Sequence, residues 1–233
     1  MVKKVKETIK DTKKKIIETR DKINLIDFDA HWYRRVFHAF GASFLFYYIL
    51  PNVDWINVLK FWIPPLLVIV AILIEILRIK GFIGSDHFFG LRMYEQKRIG
   101  SYVFFAVAIL LLLRFFPQQI AVPCILCACF ADPVMGEVRN RLNKKSAISI
   151  GFLLCMFLFL FTWYKADPIL MTIVGLIGAT GAVIGETVKF SWLDDDFMIQ
   201  MIPAILLLLL WYALPSVGFT MPDQIIYPGL MPW

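Results

Sequence analysis

Residues 124–145 read CILCACFADPVMGEVRNRLNKK, and they join an apolar segment that could cross a membrane to a basic loop. Asp132 and Glu137 stand at this junction, so two carboxylates lie at one surface of a bilayer. Carboxylates there must be hydrated, paired with a cation or bound to a metal ion. Three other apolar segments bring charged residues to the same side, in RRVFHAF (34–40), EILR (75–78) and GETVKFSWLDDDF (185–197). This one-sidedness indicates a functional site at a single membrane surface.

The composition of the chain favours a polytopic membrane protein. Of its 233 residues, 59% are hydrophobic, and the mean hydropathy is +0.69, which exceeds what an ordinary soluble domain carries. Seven apolar segments approach the length of about 20 residues that a bilayer requires. They lie at 36–51, 57–79, 100–116, 118–136, 146–164, 168–188 and 197–214. We therefore predict an all-α membrane bundle of about seven transmembrane helices.

The distribution of charge predicts the orientation of this bundle. With the N-terminus in the cytoplasm, every Lys and Arg except Lys60, Arg114 and Lys165 falls on the inner side, as the positive-inside rule requires. The inner face then carries the whole net charge of +6, which favours an anionic partner. We expect the N-terminus and any active site to be cytoplasmic and the C-terminus to lie outside.

The chain divides into three regions. Residues 1–30 predict a basic amphipathic helix that lies on the cytoplasmic leaflet, with contact to a nucleotide as the alternative. Residues 31–214 form one transmembrane domain, and residues 215–233 form a tail at the outer surface. The four cysteines lie inside apolar segments, so we interpret them as packing residues rather than as disulfide or zinc ligands.

The sequence around Asp132 and Glu137 suggests an interrupted helix. Pro133 and Gly136 lie between the two carboxylates and predict a helix break that would point both at one cation. Backbone freed by a break survives at membrane depth only where it faces protein or water, which is how many intramembrane ligand sites are built. The alternative is a loop that merely begins at Asp132.

Asp194, Asp195 and Asp196 form a second acidic group, at the start of the last apolar segment. Helix capping accounts for one of them, because negative charge is favourable at a helix N-terminus. Three adjacent carboxylates repel one another, so we expect a divalent cation or a basic partner, and oxygen ligands suit Mg²⁺. Glu186 and Lys189, just before this group, are spaced to share a helix face.

Basic and titratable residues accompany these acids on the same side. Glu75 and Arg78 are spaced to form a local ion pair. His38 shares a helix face with Arg35, where an imidazole can take a proton from an alcohol or serve a structural purpose. Arg92 and Arg98 belong to a basic stretch that either binds phosphate oxygens or forms a solvated loop.

Soluble nucleotide-binding signatures are absent from the sequence. It contains neither G-x-x-x-x-G-K-[ST] nor a G-x-G-x-x-G after a strand. Phosphoryl transfer mostly needs Mg²⁺, cations on the phosphates and an aligned hydroxyl group, and the inner face offers candidates for each.

The ordered motifs RRVFHAFG, EILR, RMYEQKRIGSYVFF, ADPVMGE, KKS and GETVKFSWLDDDF resemble the polyprenol kinase family, which includes dolichol and phytol kinases. The resemblance covers roughly residues 34–212, and these enzymes are similar to the phosphatidate cytidylyltransferases. It implies a membrane enzyme that transfers the γ-phosphoryl group of CTP, with Mg²⁺, to a long-chain isoprenoid alcohol. Residues 31–214 would then be its catalytic domain.

The resemblance also assigns residues to the site. The implied catalytic residues are His38, Asp132 and Asp195. The implied metal ligands are Asp132, Glu186, Asp194, Asp195 and Asp196, to which the charge pattern adds Glu137. The implied nucleotide-binding residues are Arg35, Arg78, Arg98, Lys144, Lys145 and Ser146, to which the basic residues on the same side add Arg92 and Lys189. Glu75, Glu95 and Gly136 are implied to support these groups.

Other functions stay open on the sequence. A cytidylyltransferase that joins CMP to a lipid phosphate needs the same metal and cations. A non-catalytic homologue would bind or transport lipid, although a transporter should carry ionisable groups toward mid-membrane. We expect CTP, isoprenoid lipid and membrane lipids as partners and no nucleic acid, and the sequence leaves the oligomeric state open.

Overall fold

The structure is a computed structural model that describes residues 35–84, 95, 98–189 and 193–227. Within these ranges the chain forms seven helices and no β-strand. The predicted amphipathic helix over residues 1–30 and the predicted phosphate contact of Arg92 lie outside the described residues.

Five of the helices are long and apolar enough to cross a membrane, which confirms the predicted all-α membrane bundle. These are α2, α4, α5, α6 and α7, whereas α1 and α3 are shorter. The helices are α1 (residues 35–49, with a 3-10 turn at Ala42–Leu45), α2 (Asp54–Ile79), α3 (Ser101–Phe115), α4 (Gln118–Arg141), α5 (Lys144–Thr162), α6 (Pro168–Thr187) and α7 (Asp195–Ala213).

Helix α4 lies at the centre of the bundle, and it is more deeply buried than the other spanning helices. It runs without a break through Pro133 and Gly136, so the predicted interruption there is wrong. The irregularity lies one turn earlier, in a π-helical turn at Cys127–Ala131. A π turn widens the helix, which makes room for the Pro133 ring against the preceding carbonyls without ending the helix.

Close contact between α6 and α7 depends on glycine. A Cβ atom at Gly185 would collide with the backbone carbonyl of Met198, so only glycine lets the two helices approach this far. The same contact brings Glu186, at the end of α6, beside the first turn of α7. The small residue therefore positions a charged one.

Helix α2 lies at the edge of the bundle. Large apolar side chains such as Trp62 and Leu66 are exposed along it, as expected for a helix that faces lipid. Its C-terminal end is attached to the start of α3 by Glu75 and Arg78, which are both buried.

The C-terminal tail is attached to the opposite end of the bundle. The Gln118 side chain accepts from the amides of Ile225 and Ile226 at 2.8 and 2.9 Å. Gln119 donates to the carbonyl of Pro222 at 2.8 Å. The described part of the predicted outer tail is therefore packed on the start of α4.

All four cysteines of the chain are buried as free thiols in the core. They are Cys124, Cys127, Cys129 and Cys155. Their position fits the interpretation that they are packing residues.

Candidate functional site

Charged residues from four helices meet at one end of the bundle. His38 lies near the start of α1, Asp132 lies on α4 just after the π turn, Glu186 ends α6, and Asp196 lies in the first turn of α7. These helices alternate in direction, so the beginnings of α1 and α7 meet the ends of α4 and α6. We call the group His38, Asp132, Glu186, Asp194, Asp195 and Asp196 the acidic site.

His38 is the centre of the acidic site. Its Nε2 atom lies 3.6 Å from a carboxylate oxygen of Asp132 and 3.6 Å from one of Asp196. The imidazole is 4% exposed and packs edge-on against Phe105, with ring centroids 5.1 Å apart. One nitrogen of a buried histidine therefore points between two carboxylates.

The other nitrogen of His38 lies 3.3 Å from the carbonyl oxygen of Ala128. A carbonyl can only accept a hydrogen bond, so Nδ1 donates to Ala128 and Nε2 is the nitrogen that is turned toward the carboxylates. In the neutral imidazole, Nε2 in this orientation can accept a proton or coordinate a metal ion.

The π turn explains why the carbonyl oxygen of Ala128 is not used by a hydrogen bond within the helix. In an α-helix this oxygen would accept from the amide of Asp132, but that amide donates to Cys127 instead. In continued π geometry it would accept from residue 133, and proline has no N–H. A buried carbonyl left in this way needs another donor, and His38 supplies it. Pro133 thus helps to set the tautomer of His38.

The first turn of α7 supplies three carboxylates. Asp194 caps the helix and accepts from the amide of Asp196 at 3.1 Å, while Asp195 forms an ion pair with Lys189. Burial, and next the charges of Asp196 and Asp195, raises the pKa of Asp194 to about 8. Capping thus explains one acid, and mutual repulsion of the group favours a bound cation.

Two sets of ligand atoms are close enough to share a cation. In the first, one atom each from His38, Asp132 and Asp196 lies within 4.8 Å of the others, and the second comprises Asp194, Asp195 and Asp196. Asp196 belongs to both sets. An oxygen-rich donor group of this kind fits Mg²⁺, and the imidazole would also suit a softer divalent ion.

Glu186 adds a buried acceptor to the same place. It is 2% exposed, it faces Asp132 and Asp195, and its Oε1 is paired with Arg139. Its Oε2 receives no hydrogen bond from any residue that the structure describes. A buried carboxylate oxygen without a donor is costly, so a cation or a ligand hydroxyl group at this position would be favourable.

Glu137 does not join Asp132, contrary to the prediction that both face one cation. Because α4 continues as a helix, Glu137 points away and forms ion pairs with Arg35 and Arg141. Gly136 is also not a break, and a Cβ atom there would meet open space. The carboxylate that faces Asp132 is Glu186.

Arg78 has a structural place, in contrast to its predicted role in binding the nucleotide. Its guanidinium donates to both oxygens of Glu75 at 2.7 Å and to the carbonyls of Arg98 and Glu95 at 2.6 and 3.1 Å. Tyr102 donates to Glu75 at 2.7 Å, and the amide of Gly100 also donates to it. Arg78 is therefore committed to joining α2 to α3.

The remaining predicted residues lie around this end of the bundle. Lys144 and Lys145 are exposed in the first turn of α5, and in the described part of the chain neither makes an ion pair. The Ser146 amide donates to the Asn143 side chain at 2.8 Å, which caps α5. The Arg98 side chain is exposed, and only its carbonyl enters the Arg78 cluster.

Two residues of the site were not predicted. Arg139 pairs with Glu186, and its position seven residues after Asp132 places both on one face of α4. Gln200 is fully buried and donates from its side chain to the carbonyl of Asp196 at 2.8 Å, while its Oε1 has no donor. A single amide within the apolar run MIQMIPAILL could have revealed the second.

No family model, no curated protein and no solved structure matches the chain.

Proposed function

We propose that the protein is a membrane kinase that transfers the γ-phosphoryl group of CTP to a long-chain isoprenoid alcohol. The observation that carries the proposal is the convergence of His38 Nε2 with the carboxylates of Asp132 and Asp196 at one end of the bundle. The resemblance of the ordered motifs to polyprenol kinases supplies the donor and the class of acceptor.

The carboxylates of the acidic site would hold Mg²⁺. Asp132 and Asp196 share ligand-atom spacing with His38, and Asp194 and Asp195 extend the set. Glu186 Oε2, which no described residue hydrogen-bonds, would add a further oxygen to this group of carboxylates. Bound Mg²⁺ would neutralise charge that develops on the transferred phosphoryl group.

His38 would act as the general base. The alcohol oxygen forms a bond to the γ-phosphorus, the bond to the bridging oxygen breaks, and CDP leaves. The proton of the alcohol passes to Nε2 of the neutral imidazole, which the contact of Nδ1 with Ala128 orients toward the site. Asp132 and Asp196, 3.6 Å away, stabilise the imidazolium that forms.

Cations around the acidic site would bind the triphosphate. Arg139 lies on α4 and Lys189 lies just after α6, and they form ion pairs with Glu186 and Asp195, respectively. Lys144 and Lys145 are exposed at the start of α5, next to the end of α4. Charge-assisted hydrogen bonds from such groups to phosphate oxygens are strong and leave the γ-phosphorus accessible.

The alcohol would approach from the membrane. With seven spans, a cytoplasmic N-terminus and an external C-terminus, the acidic site lies at the cytoplasmic interface. The hydroxyl end of the lipid then reaches His38 while its tail lies along apolar helix faces. The charge distribution of the sequence, with Lys60, Arg114 and Lys165 as the outward exceptions, supports this orientation.

The test is a transfer assay with full-length protein in detergent, Mg²⁺, isoprenoid alcohols of several lengths, and γ-labelled CTP or ATP. We expect labelled lipid with CTP. His38→Gln and Asp132→Asn should each lower kcat/KM at least about 100-fold, since each removes general-base or charge-stabilising chemistry. Asp54→Asn, an exposed aspartate at the opposite end, is the matched control and should retain activity.

Product analysis separates the proposal from its rivals. Lipid monophosphate and CDP identify a kinase, whereas transfer of an α-label with release of pyrophosphate identifies a cytidylyltransferase. Folded protein that labels no lipid with either nucleotide contradicts an enzymatic function and leaves lipid binding or transport.

A further inference from the structure

A polar cavity lies at the end of the bundle opposite the acidic site. Its volume is about 330 Å³, and it lies between the end of α1, the start of α2, the end of α3 and the start of α4. Gln224 of the C-terminal tail completes its wall. Because each of these helices crosses the bundle, the cavity and the acidic site face opposite surfaces.

Two cations line this cavity without carboxylate partners among the described residues. Lys60 Nζ donates to the carbonyl of Leu50 at 2.6 Å and lies 3.4 Å from the side-chain oxygen of Asn52. Arg114 donates to the carbonyl of Phe61, and its guanidinium carbon lies 4.1 Å from the centre of the Phe61 ring. Both charges are thus held by neutral groups, and the cavity carries a net positive charge.

The Tyr48 side chain also lines the cavity, but its hydroxyl oxygen is shielded from solvent and forms no hydrogen bond with the described residues. This oxygen is therefore not presented to a ligand in the cavity. Lys60 and Arg114 supply the charged donors that the cavity offers.

We infer that this cavity binds a phosphate group. An arginine fork and a lysine ammonium are donors that suit a tetrahedral oxyanion, and Arg matches phosphate in two-point contact. The volume is at the small end of ligand sites, which suits a headgroup or a small phosphate compound. The phosphate comes from an anionic lipid or from a small solute, and the inference is independent of the proposed kinase activity.

The test uses full-length protein in detergent with two probes at constant ionic strength. One probe is labelled inorganic phosphate, and the other is labelled dihexanoyl phosphatidylglycerol below its micelle concentration, with dihexanoylglycerol as the lipid that lacks phosphate. Equilibrium dialysis measures saturable binding to wild type, Lys60→Gln, Arg114→Gln, the double variant Lys60→Gln/Arg114→Gln and Lys165→Gln. Lys165 is the matched control, because it is exposed at the same end and stacks on Tyr164 and Tyr227 outside the cavity.

We expect saturable binding by wild type and by the Lys165 variant, at least tenfold weaker binding by the double variant, and about threefold to tenfold weaker binding by each single variant. Binding of both probes indicates a site open to soluble phosphates, whereas binding of the lipid alone indicates a headgroup site. The inference is overturned if neither probe binds, if dihexanoylglycerol competes equally, or if the double variant binds like wild type. Each single variant removes only one charge, so Lys60→Gln and Arg114→Gln keep the test decisive if the double variant misfolds.

Discussion

Two buried charged clusters lie at the same end of the bundle, and they differ in how their charges are matched. In the first, Arg78 and Glu75 form a two-point ion pair whose remaining capacity is used by Tyr102 and backbone groups. In the second, the acidic site, carboxylates face one another and His38, and an oxygen of Glu186 lacks a donor.

The difference separates a structural cluster from a candidate functional one. A matched pair needs nothing further, so it can join α2 to α3 permanently. A group with surplus negative charge is costly when it is empty and becomes favourable only with a cation or ligand. Burial and charge alone would have ranked the two clusters equally, and the pairing of individual atoms distinguishes them.

The largest effect is expected from a substitution that breaks the ion pair of Arg78 with Glu75. Arg78→Met leaves the buried charge of Glu75 without its partner and should lower the free energy of unfolding by about 3–5 kcal/mol. Arg141→Met removes a highly exposed member of an ion pair and should cost less than about 1 kcal/mol. Equilibrium unfolding in mixed micelles with increasing dodecyl sulfate measures both, and equal losses would contradict the distinction.

A change of opposite sign is expected in the acidic site. Asp132→Asn removes repulsion from Glu186, and the introduced amide can donate to its free oxygen. In the absence of Mg²⁺ the variant should be more stable than wild type by roughly 1–3 kcal/mol, the cost of a buried unmatched group.

The same unfolding experiment with added Mg²⁺ provides the second half of this test. Wild type should gain stability with Mg²⁺ concentration, and Asp132→Asn should lose most of that gain. A variant that is destabilised without Mg²⁺ would show that Asp132 is a matched structural residue, like Glu75.

A smaller effect should come from the residue that sets the orientation of His38. Pro133→Ala gives residue 133 an N–H that can bond to a preceding carbonyl of α4 and compete with His38 for Ala128. Loss of such a supporting contact typically weakens metal binding or activity about 10-fold or more. Mg²⁺ titration of stability and the transfer assay measure this effect, and unchanged values would refute the role given to Pro133.

The smallest effect tests the continuity of α4. Gly136→Ala should raise the free energy of unfolding by about 0.5–1 kcal/mol, because alanine favours a helix and its Cβ meets open space. Gly185→Ala is the contrasting change and should be clearly destabilising, because its Cβ would meet the Met198 backbone. Comparable outcomes for the two glycines would argue against the described packing of α6 on α7.

Much of the architecture could be predicted from the hydropathy of the chain and from the residues that bound its apolar segments. The helical membrane bundle follows from the apolar segments, and helix starts at Asp167 and Asp194 follow from residues that cap helices. The gathering of His38, Asp132 and the Asp194–Asp196 run was also predictable as a shared end of the bundle, because charged residues bound the apolar segments on one side.

Which side chains pair with one another was harder to predict from the sequence. Asp132 and Glu137 are close in sequence, and a proline and a glycine between them suggested a break, but the π turn before Pro133 absorbs the irregularity and lets the helix continue. Glu186 instead reaches Asp132 through the contact of α6 with α7. Such three-dimensional contacts leave no periodic trace in the sequence, and the same holds for the cavity at Lys60 and Arg114.

The burial of every native thiol has a practical consequence for determining sidedness. Cys124, Cys127, Cys129 and Cys155 are shielded in the core, so a membrane-impermeant maleimide should label the unmodified protein poorly. A single cysteine introduced at exposed Lys145 or exposed Lys165 would then report from one end of the bundle against a low background. The wild-type chain can thus serve directly as the template for mapping which surface faces the cytoplasm.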